Sequence, residues 1–354
     1  MPRRLAITGP YQVAVLDYQD PPLLANQVLV KTEWASGKHG TTFGMFDGRT
    51  FQGQRFDPDM RLFLPQEAPP EPVQTHEPHN SGTTGVGTVI AVGPQVTRWQ
   101  VGDRVFGMMD VRETNICRED RLWTLGQIDP LLALCVEPAY VSFHCIRESN
   151  VRYGDRVAVI GLGALGLLAV RMAAAGSAEM VIAVDTLENR RRWAAQNGAT
   201  HVLNPAECDV GLEIHRLTGG ESAHGAGVDV AIELAGVYPA LNTALRAVRV
   251  GGTVCSAGFY QGEAHGLWLG REWHHNRITV IVPHGCGWGH TPREYPAWDE
   301  GRAYDCIVSQ MRQGKLTAPG LIDPVVPLDQ GPEVFRWIKE DPGQVIKYAI
   351  HFDS

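Results

Sequence analysis

Three glycines at a fixed spacing are the residues of this chain that most directly indicate chemistry. They are Gly161, Gly163 and Gly166, and they follow the apolar segment from Val157 to Ile160. In this G-x-G-x-x-G spacing the first glycine allows a tight turn, the second lets a pyrophosphate approach the backbone, and the third lets a helix pack close to a sheet. The free N–H groups at the start of the following Ala/Leu-rich segment would hold the pyrophosphate.

An acidic residue follows at the distance that dinucleotide binding requires. The second apolar segment, residues 180–184, ends at Asp185, nineteen residues after Gly166. A carboxylate at this position accepts hydrogen bonds from the adenosine ribose and repels a 2′-phosphate, so we predict NAD(H) rather than NADP(H). An ordinary strand–turn–helix without a ligand is the alternative. The segment that we call the glycine turn comprises Gly161, Leu162, Gly163, Ala164, Leu165 and Gly166.

The composition is typical of a globular protein with a full core. A length of 354 residues predicts about two domains, and 44% apolar with 20% charged residues is ordinary for soluble chains. The formal net charge of −8 argues against nucleic-acid and anionic-membrane partners. No apolar segment approaches the roughly 18 residues that a membrane span needs. We therefore expect a small-molecule substrate.

The cysteines and the N-terminal residues predict a cytoplasmic protein. The seven cysteines are scattered, odd in number and never spaced as C-x-x-C, which argues against a disulfide framework and against a cysteine-rich zinc lobe. Two arginines near the N-terminus are not followed by an apolar segment, so we expect no secretory signal. The cysteines are Cys117, Cys135, Cys145, Cys208, Cys255, Cys286 and Cys306.

Residues 1 to about 147 predict a β-rich domain, because short apolar runs alternate with Gly, Pro and Asn. The polar, proline-dense segment from 51 to 80 predicts an irregular surface excursion. A helix is expected from 131 to 147, with Glu137 and Pro138 at or near its start, where a proline and a carboxylate are favoured. The apolar runs begin at Leu5, Tyr11, Gln27, Thr88 and Gly102.

From about residue 148 the pattern changes to alternating strands and helices, as a doubly wound parallel sheet requires. We predict an α/β protein whose Rossmann domain spans 148–285. Residues 286–354 are too few for a core of their own, so we expect them to return to the domain formed by 1–147. The six predicted strands are 156–160, 180–185, 201–203, 228–234, 253–257 and 278–282.

Together these features resemble the medium-chain, alcohol-dehydrogenase-like superfamily across essentially the whole chain. The segment from Gly87 through the Gly-Asp-Arg-Val at 102–105 resembles a family signature, and the segment that starts at Glu137 resembles polyol dehydrogenases. The resemblance implies a six-stranded Rossmann sheet, a GroES-like catalytic domain and a homo-oligomer, dimer or tetramer. It places Arg190 beside the adenosine ribose and Lys347 toward the pyrophosphate. We predict Gly258, after the fifth strand, as a further cofactor-binding residue.

The catalytic metal site of the zinc-dependent members is largely replaced in this sequence. Those members use a cysteine, a histidine and a third acidic or sulfur ligand. By resemblance His39 occupies the first of these positions, Thr83 the second and Glu137 the third. A hydroxyl is a poor zinc ligand, so we predict no catalytic zinc. Restoration of the ligand missing at Thr83 by His76 or His79 is the alternative.

Without a metal, hydride transfer still needs an acid/base and a group that stabilises the carbonyl oxygen. The resemblance assigns Thr41 the hydrogen bond to the reacting oxygen and His39 the proton. A polar loop histidine bonded to backbone is the alternative for His39. Glu137 either binds substrate hydroxyls or interacts with the start of its own helix.

Aromatic and histidine side chains are concentrated between residues 267 and 290. Such side chains suit a sugar-like or aromatic substrate, and they are also common in oligomer interfaces. We predict an interface for 267–277, whereas for 284–290 pocket and interface remain open. The predicted substrate residues are Thr83, His284 and Trp288.

The function predicted from these residues is an NAD(H)-dependent oxidoreductase that interconverts a secondary alcohol and its ketone without catalytic zinc. A polyol, a sugar or a similar hydroxylated molecule is the expected substrate. One alternative is a zinc-free reductase of enone or quinone double bonds, which would usually use NADPH. The other is a non-catalytic NAD(H)-binding redox sensor that kept the fold and lost the metal.

Overall fold

The computed structural model describes residues 1–37, 46, 54–65, 78–219, 225–283 and 296–353. In chain order its strands are β1 (Arg3–Gly9), β2 (Gln12–Asp17), β3 (Gln27–Ser36), β4 (Gln54–Asp57), β5 (Leu62–Pro65), β6 (His79–Asn80), β7 (Thr84–Val92), β8 (Arg104–Gly107), β9 (Thr114–Arg118), β10 (Leu122–Thr124), β11 (Arg156–Ile160), β12 (Met180–Val184), β13 (His201–Leu203), β14 (Val228–Glu233), β15 (Val248–Ser256), β16 (Thr279–Ile281), β17 (Ile322–Pro327) and β18 (Lys347–His351). Its α-helices are α1 (Pro130–Ala133), α2 (Val136–Glu148), α3 (Ala164–Ala175), α4 (Glu188–Gln196), α5 (Val210–Thr218), α6 (Tyr238–Ala247), α7 (Glu272–His275), α8 (Glu300–Arg312) and α9 (Gly331–Glu340).

The chain divides into two compact units, Met1–Leu134 with Ile322–Ser354, and Cys135–Leu321. The first unit is β-rich, as predicted. Its main sheet has the order β10-β8-β7-β3-β18-β17, and β9 also pairs with β3. Because β18 lies antiparallel to β3 and parallel to β17, the end of the chain completes this sheet. The predicted return of the tail is therefore found from residue 322 onward.

Helix α9 shows why the tail joins the first unit. Its apolar side chains Val334, Phe335 and Ile338 lie on one helical face and are almost fully buried. They belong to a cluster that includes Leu5 of β1 and Tyr348 of β18. The apolar face of the returning helix is thus removed from water by residues from both ends of the chain.

The described parts of the segment from 51 to 80, which are residues 54–65 and 78–80, are more regular than the sequence predicts. Strands β4 and β5 pair as an antiparallel hairpin, and β6 pairs with β1. The hairpin turn is held by the side chain of Asp57, which accepts hydrogen bonds from the backbone N–H groups of Asp59 and Met60 at 3.0 and 2.9 Å. The prolines between 66 and 77 lie outside the described residues.

The second unit contains the predicted Rossmann sheet. Six parallel strands have the order β13-β12-β11-β14-β15-β16, and the six strands predicted from the sequence are confirmed. Strand order reverses between β11 and β14, so the crevice for a ligand lies outside the carboxyl ends of these two strands. No helix in the described part of the chain is long and apolar enough to cross a membrane.

The boundaries between the two units fall between residues 134 and 135 and between residues 321 and 322, whereas the sequence predicts them near 147 and 286. Helix α2 belongs with the Rossmann sheet because it packs on α3, where the Ser142 hydroxyl donates to the Leu165 carbonyl at 2.8 Å. It also packs on α8, where the Tyr140 and Tyr304 rings stack at 4.3 Å. These contacts join segments that are distant in the sequence, so the pattern of strands and helices did not reveal them.

Candidate functional site

The glycine turn separates the requirements of the fold from those of a ligand. Gly161 has a φ of +89°, and a Cβ there would lie 2.4 Å from the backbone nitrogen of Ala235. A Cβ at Gly166 would lie 1.9 Å from the Gly161 carbonyl oxygen. Gly163 differs, because a Cβ there would have nothing within 4 Å. The fold therefore needs the first and third glycines, whereas the second leaves space at the backbone for a ligand.

The start of helix α3 suits an anion. Gly163 is its N-cap residue, and no side chain in the described part of the chain caps this end. The first turn, which begins at Ala164 and Leu165, contains no acidic residue. The backbone N–H groups and the positive end of the helix dipole therefore fit a pyrophosphate group. The residues present fit the dinucleotide that the sequence predicts.

Asp185 follows β12 at the same edge of the sheet and contacts the glycine turn directly. Its Oδ2 accepts a hydrogen bond from the Leu162 N–H at 2.7 Å, and its Oδ1 accepts one from the Leu187 N–H at 2.8 Å. A carboxylate oxygen can accept a further hydrogen bond, so both remain able to bind ribose hydroxyls. The structure thus brings Asp185 and the glycine turn together.

Arg190 lies beside Asp185, with its Nη1 3.8 Å from the Asp185 Oδ2. Burial lowers the pKa of Arg190, and the Asp185 charge opposes this shift. Gly258 lies just past β15, and a Cβ there would be 2.4 Å from the Gly236 Cα. Both residues are at the end of the sheet where the sequence predicts cofactor binding, and their contacts with a cofactor stay predictions.

Lys347 lies in the first unit, on β18. Its side chain is buried, and its Nζ donates a hydrogen bond to the Gly37 carbonyl at 2.8 Å. Its ammonium group therefore stabilises the end of β3 within the first unit. The role toward the pyrophosphate that the resemblance implies stays a prediction.

Thr83 lies in a pocket of about 480 Å³ in the first unit, together with Gly82 and Asp110. Its backbone N–H donates to the Ser36 carbonyl at 2.9 Å, which holds the residue at the end of β3. The buried hydroxyl oxygens of Thr83 and the adjacent Thr84 have no hydrogen-bond partner in the part of the chain that the structure describes. Unsatisfied buried hydroxyls are costly, and of these two residues Thr83 lines the pocket.

Asp110 is a pocket residue that the sequence did not single out. Its Oδ1 accepts hydrogen bonds from the backbone N–H groups of Ser81 and Gly82, at 3.1 and 2.6 Å. Burial raises the pKa of its carboxyl above the ordinary value, although the backbone N–H groups of Gly82 and Val111 and two nearby arginines oppose the shift. Asp110 therefore holds the loop that presents Thr83.

The replacement Asp110→Asn is expected to change how stability depends on pH. Because the native carboxyl has a raised pKa, it takes up a proton at a higher pH than the same carboxyl in the unfolded chain. As pH falls from neutral through the native pKa, the free energy of unfolding of the wild type should therefore rise relative to that of the variant. The difference should change by at most about 1.4 kcal/mol per pH unit. Urea unfolding of both proteins between neutral pH and about pH 4 measures this. A constant difference over that range would contradict the prediction.

Glu137 lies in the first turn of helix α2 in the second unit and is 8% exposed. Both of its predicted roles, binding substrate hydroxyls and stabilising its helix start, remain open.

The segment 267–277 contains α7, and two apolar side chains that precede this helix, Trp268 and Leu269, are about half exposed. The interface predicted for this segment stays a prediction.

Several predicted residues lie outside the described part of the chain. They are the site residues His39, Thr41, His284 and Trp288 and the alternative zinc ligand His76.

At the position of Thr83 the donor does not fit the zinc site that the resemblance implies. Zn²⁺ in such sites is bound by thiolate, imidazole or carboxylate groups, and Thr83 offers a neutral hydroxyl instead. Among the described residues, no group of three or more His, Cys, Asp or Glu side chains is arranged to hold a metal ion. His79 is exposed on β6.

Two further residues at the Rossmann edge were missed by sequence reasoning. Glu233 ends β14 and is completely buried, and its Oε2 accepts a hydrogen bond from the hydroxyl of Tyr260. An acidic residue directly after the apolar run Val230–Ile232 was the available signal for Glu233. No signal in the sequence indicated Tyr260.

Comparison with known proteins defines the class to which this fold and site belong. Residues 164–300 match the family described as zinc-binding dehydrogenase, and residues 25–175 match the alcohol dehydrogenase GroES-like domain. The chain belongs to the alcohol-dehydrogenase-like superfamily of medium-chain dehydrogenases/reductases, and it is an oxidoreductase of that class.

Individual relatives extend over very different shares of the chain. D-guloside 3-dehydrogenase of Escherichia coli (strain K12) is 33% identical over 356 residues, which cover 99% of this chain and 100% of the relative. D-xylulose reductase A of Aspergillus oryzae is 28% identical over 211 residues, 60% of this chain and 54% of the relative. The crystal structure of 2R,3R-butanediol dehydrogenase from Bacillus subtilis has a TM-score of 0.77 at 22% identity and 99% coverage of both chains, which shows the same fold.

Proposed function

We propose that this protein is an NAD(H)-dependent dehydrogenase that interconverts a secondary hydroxyl group of a sugar, glycoside or polyol and the corresponding ketone, without catalytic zinc. The observation that carries the proposal is the similarity to D-guloside 3-dehydrogenase over the full length of both chains. That relative is named for dehydrogenation of a guloside, which is a hydroxylated sugar derivative. D-xylulose reductase A, named for a sugar, supports the same substrate class.

The choice of NAD(H) is supported by Asp185. Its carboxylate is next to the glycine turn, where it would bind the ribose hydroxyls and repel a 2′-phosphate. The N–H groups at the start of α3 would hold the pyrophosphate. Bound NAD⁺ supplies the hydride acceptor. The chain itself then has to bind the hydroxylated substrate and move the hydroxyl proton.

The zinc-free part of the proposal is supported by Thr83. Where the zinc-dependent relatives place a histidine ligand, Thr83 presents a buried hydroxyl that lacks a partner among the described residues. We propose that this hydroxyl binds a substrate hydroxyl group. We keep Thr41 as the donor to the reacting oxygen, His39 as the acid/base and Glu137 as a residue for further substrate hydroxyls.

Activity measurements test the proposal. We expect NAD⁺ reduction with a panel of D-glycosides, sugars and polyols, followed at the nicotinamide absorbance band, and we expect dialysis against a chelator to leave the rate unchanged. Thr83→Val keeps the shape and removes the hydroxyl, so we expect kcat/KM to fall about tenfold. Thr88→Val is the matched control, because Thr88 lies on β7, the strand that follows Thr83, and its hydroxyl donates to the Glu33 Oε1 at 2.8 Å.

Each part of the proposal has its own contradicting result. Stoichiometric zinc together with loss of activity on chelation would overturn the zinc-free mechanism. Turnover of enones with NADPH, and none of hydroxylated substrates, would identify the double-bond reductase instead. NADH binding without turnover of any compound in the panel would favour the redox sensor.

A further inference from the structure

A buried carboxylate lies at the centre of the edge where the Rossmann sheet reverses its strand order. Glu233 is the last residue of β14, and its side chain is completely buried. In the sheet it pairs with Ile160 of β11 on one side and with Ser256 of β15 on the other. Both neighbouring strands end at this level, so Glu233 lies directly below the crevice in which such sheets bind ligands.

The carboxylate joins the loops that follow two strands. Its Oε1 accepts hydrogen bonds from the backbone N–H groups of Ala235 and Gly236, at 2.8 and 2.9 Å. Its Oε2 accepts a hydrogen bond from the hydroxyl of Tyr260, which lies beyond β15. The Ser256 hydroxyl donates to the Tyr260 oxygen at 3.3 Å. The loop after β14 and the loop after β15 are therefore connected through one side chain.

The loop after β14 packs against the glycine turn, and the loop after β15 packs against the loop after β14, in both places without room for a side chain. A Cβ on Gly161 would lie 2.4 Å from the backbone nitrogen of Ala235. The N–H group of this nitrogen donates a hydrogen bond to the Glu233 carboxylate. A Cβ on Gly258 would lie 2.4 Å from the Gly236 Cα and 2.5 Å from the Glu233 Oε2. The position of the glycine turn therefore depends on the loop that Glu233 holds.

The connection is stable only while all of its donors are in place. A buried carboxylate is unfavourable unless hydrogen bonds replace its lost hydration, and Glu233 obtains these bonds from both loops. Burial raises the pKa of the Glu233 carboxyl, whereas the bonds from Tyr260 and from the backbone oppose this shift. Movement of either loop away from the sheet would leave the carboxylate short of a donor, so both loops are held against the crevice.

We propose that Glu233 and Tyr260 are positioning residues of the cofactor site, which hold the loop after β14 against the glycine turn, and the loop after β15 against the loop after β14, in the arrangement that binds the dinucleotide. This inference rests on the proposed function, because it assumes that a nicotinamide dinucleotide binds at this edge. Neither residue has to touch the cofactor. Their effect on binding is transmitted through Ala235, Gly236 and Gly258.

The test is a set of NADH titrations followed by fluorescence, with Tyr260→Phe as the main variant. This change removes the hydroxyl but keeps the ring, which stacks on Tyr238 at 5.4 Å. We expect the dissociation constant for NADH to rise about tenfold, as for loss of one hydrogen bond to a charged group. Tyr238→Phe is the matched control, because its hydroxyl donates to the Gly262 carbonyl rather than to Glu233. We expect the control to bind NADH within about twofold of the wild type.

A double-mutant cycle distinguishes positioning from general loss of stability. Glu233→Gln should also weaken NADH binding, and the variant with both changes should bind no more weakly than the more affected single variant. Urea unfolding of the apo proteins is measured alongside. If Glu233→Gln does not fold, the comparison of Tyr260→Phe with Tyr238→Phe still decides the question.

The outcomes separate this inference from the proposed function. If wild-type protein binds neither NADH nor NADPH, the proposed function fails. If the wild type binds NADH and Tyr260→Phe binds it equally well, the positioning role is overturned and the proposed function stands. The positioning role is also overturned if Tyr260→Phe and Tyr238→Phe both bind NADH more weakly and the loss of affinity is proportional to the loss of unfolding free energy in both. The two changes would then act through stability alone.

Discussion

Replacing Gly163 by alanine is expected to remove most of the affinity for NADH without changing the stability of the protein. The added methyl group meets no atom within 4 Å, and the φ of −67° at this position is one that alanine adopts readily. It would, however, occupy the space through which a pyrophosphate approaches the backbone. We expect the dissociation constant for NADH to rise at least about tenfold. Fluorescence titration and urea unfolding measure the two quantities separately.

Gly166→Ala is the companion variant, and the opposite result is expected. Its methyl group would lie 1.9 Å from the Gly161 carbonyl oxygen, so helix α3 has to move away from the sheet. Such overpacking costs about 1–3 kcal/mol of unfolding free energy. If Gly163→Ala binds NADH as tightly as the wild type, the pyrophosphate does not lie at the glycine turn. If Gly166→Ala is as stable as the wild type, the close packing of α3 on this turn is not needed.

Replacing Asp185 by asparagine is expected to shift cofactor preference toward NADPH. The change removes the negative charge that repels a 2′-phosphate, and it leaves Arg190 at 3.8 Å without its acidic neighbour. We expect the ratio of the dissociation constants for NADPH and NADH to fall by about tenfold or more. The ratio is informative because general damage to the site would weaken the binding of both cofactors, and this common effect cancels in the ratio.

The neighbouring residue Glu188 provides the control for Asp185. Its carboxylate begins helix α4, is largely exposed and pairs with Arg192. Exposed ion pairs contribute little, so Glu188→Gln should leave the cofactor ratio unchanged. An unchanged ratio in Asp185→Asn, or tighter binding of NADPH than NADH by the wild type, would contradict the assignment of NAD(H).

The elements of the Rossmann sheet were accessible from the sequence because they are local. Buried parallel strands are short apolar runs, and all six occur where these runs predict them. One boundary differs, since β15 begins at Val248 rather than near residue 253. Gly251 and Gly252 interrupt the apolar run, but Val248 still pairs with Val228 of β14 before the register shifts. Pairing with a neighbouring strand therefore overrode the local signal.

The assignment of helices to units was not accessible in the same way. The sequence places helix α2 with the first domain because it follows the β-rich segment. In the structure it belongs to the second unit, where Ser142 bonds to Leu165 and Tyr140 stacks on Tyr304. A helix has the same local pattern whichever neighbour buries its apolar face, so only the packing decides.

The sequence by itself determined the glycine turn and Asp185, because their functions depend on spacing along one strand–turn–helix–strand segment. Only the tertiary structure showed that Gly163 differs from Gly161 and Gly166, since the atoms that exclude a side chain come from other parts of the fold. It also brought Tyr260 to Glu233 and Asp110 to the loop of Thr83. These pairs are 27 or more residues apart in the chain. Their meeting depends on which strands lie side by side, which no local pattern encodes.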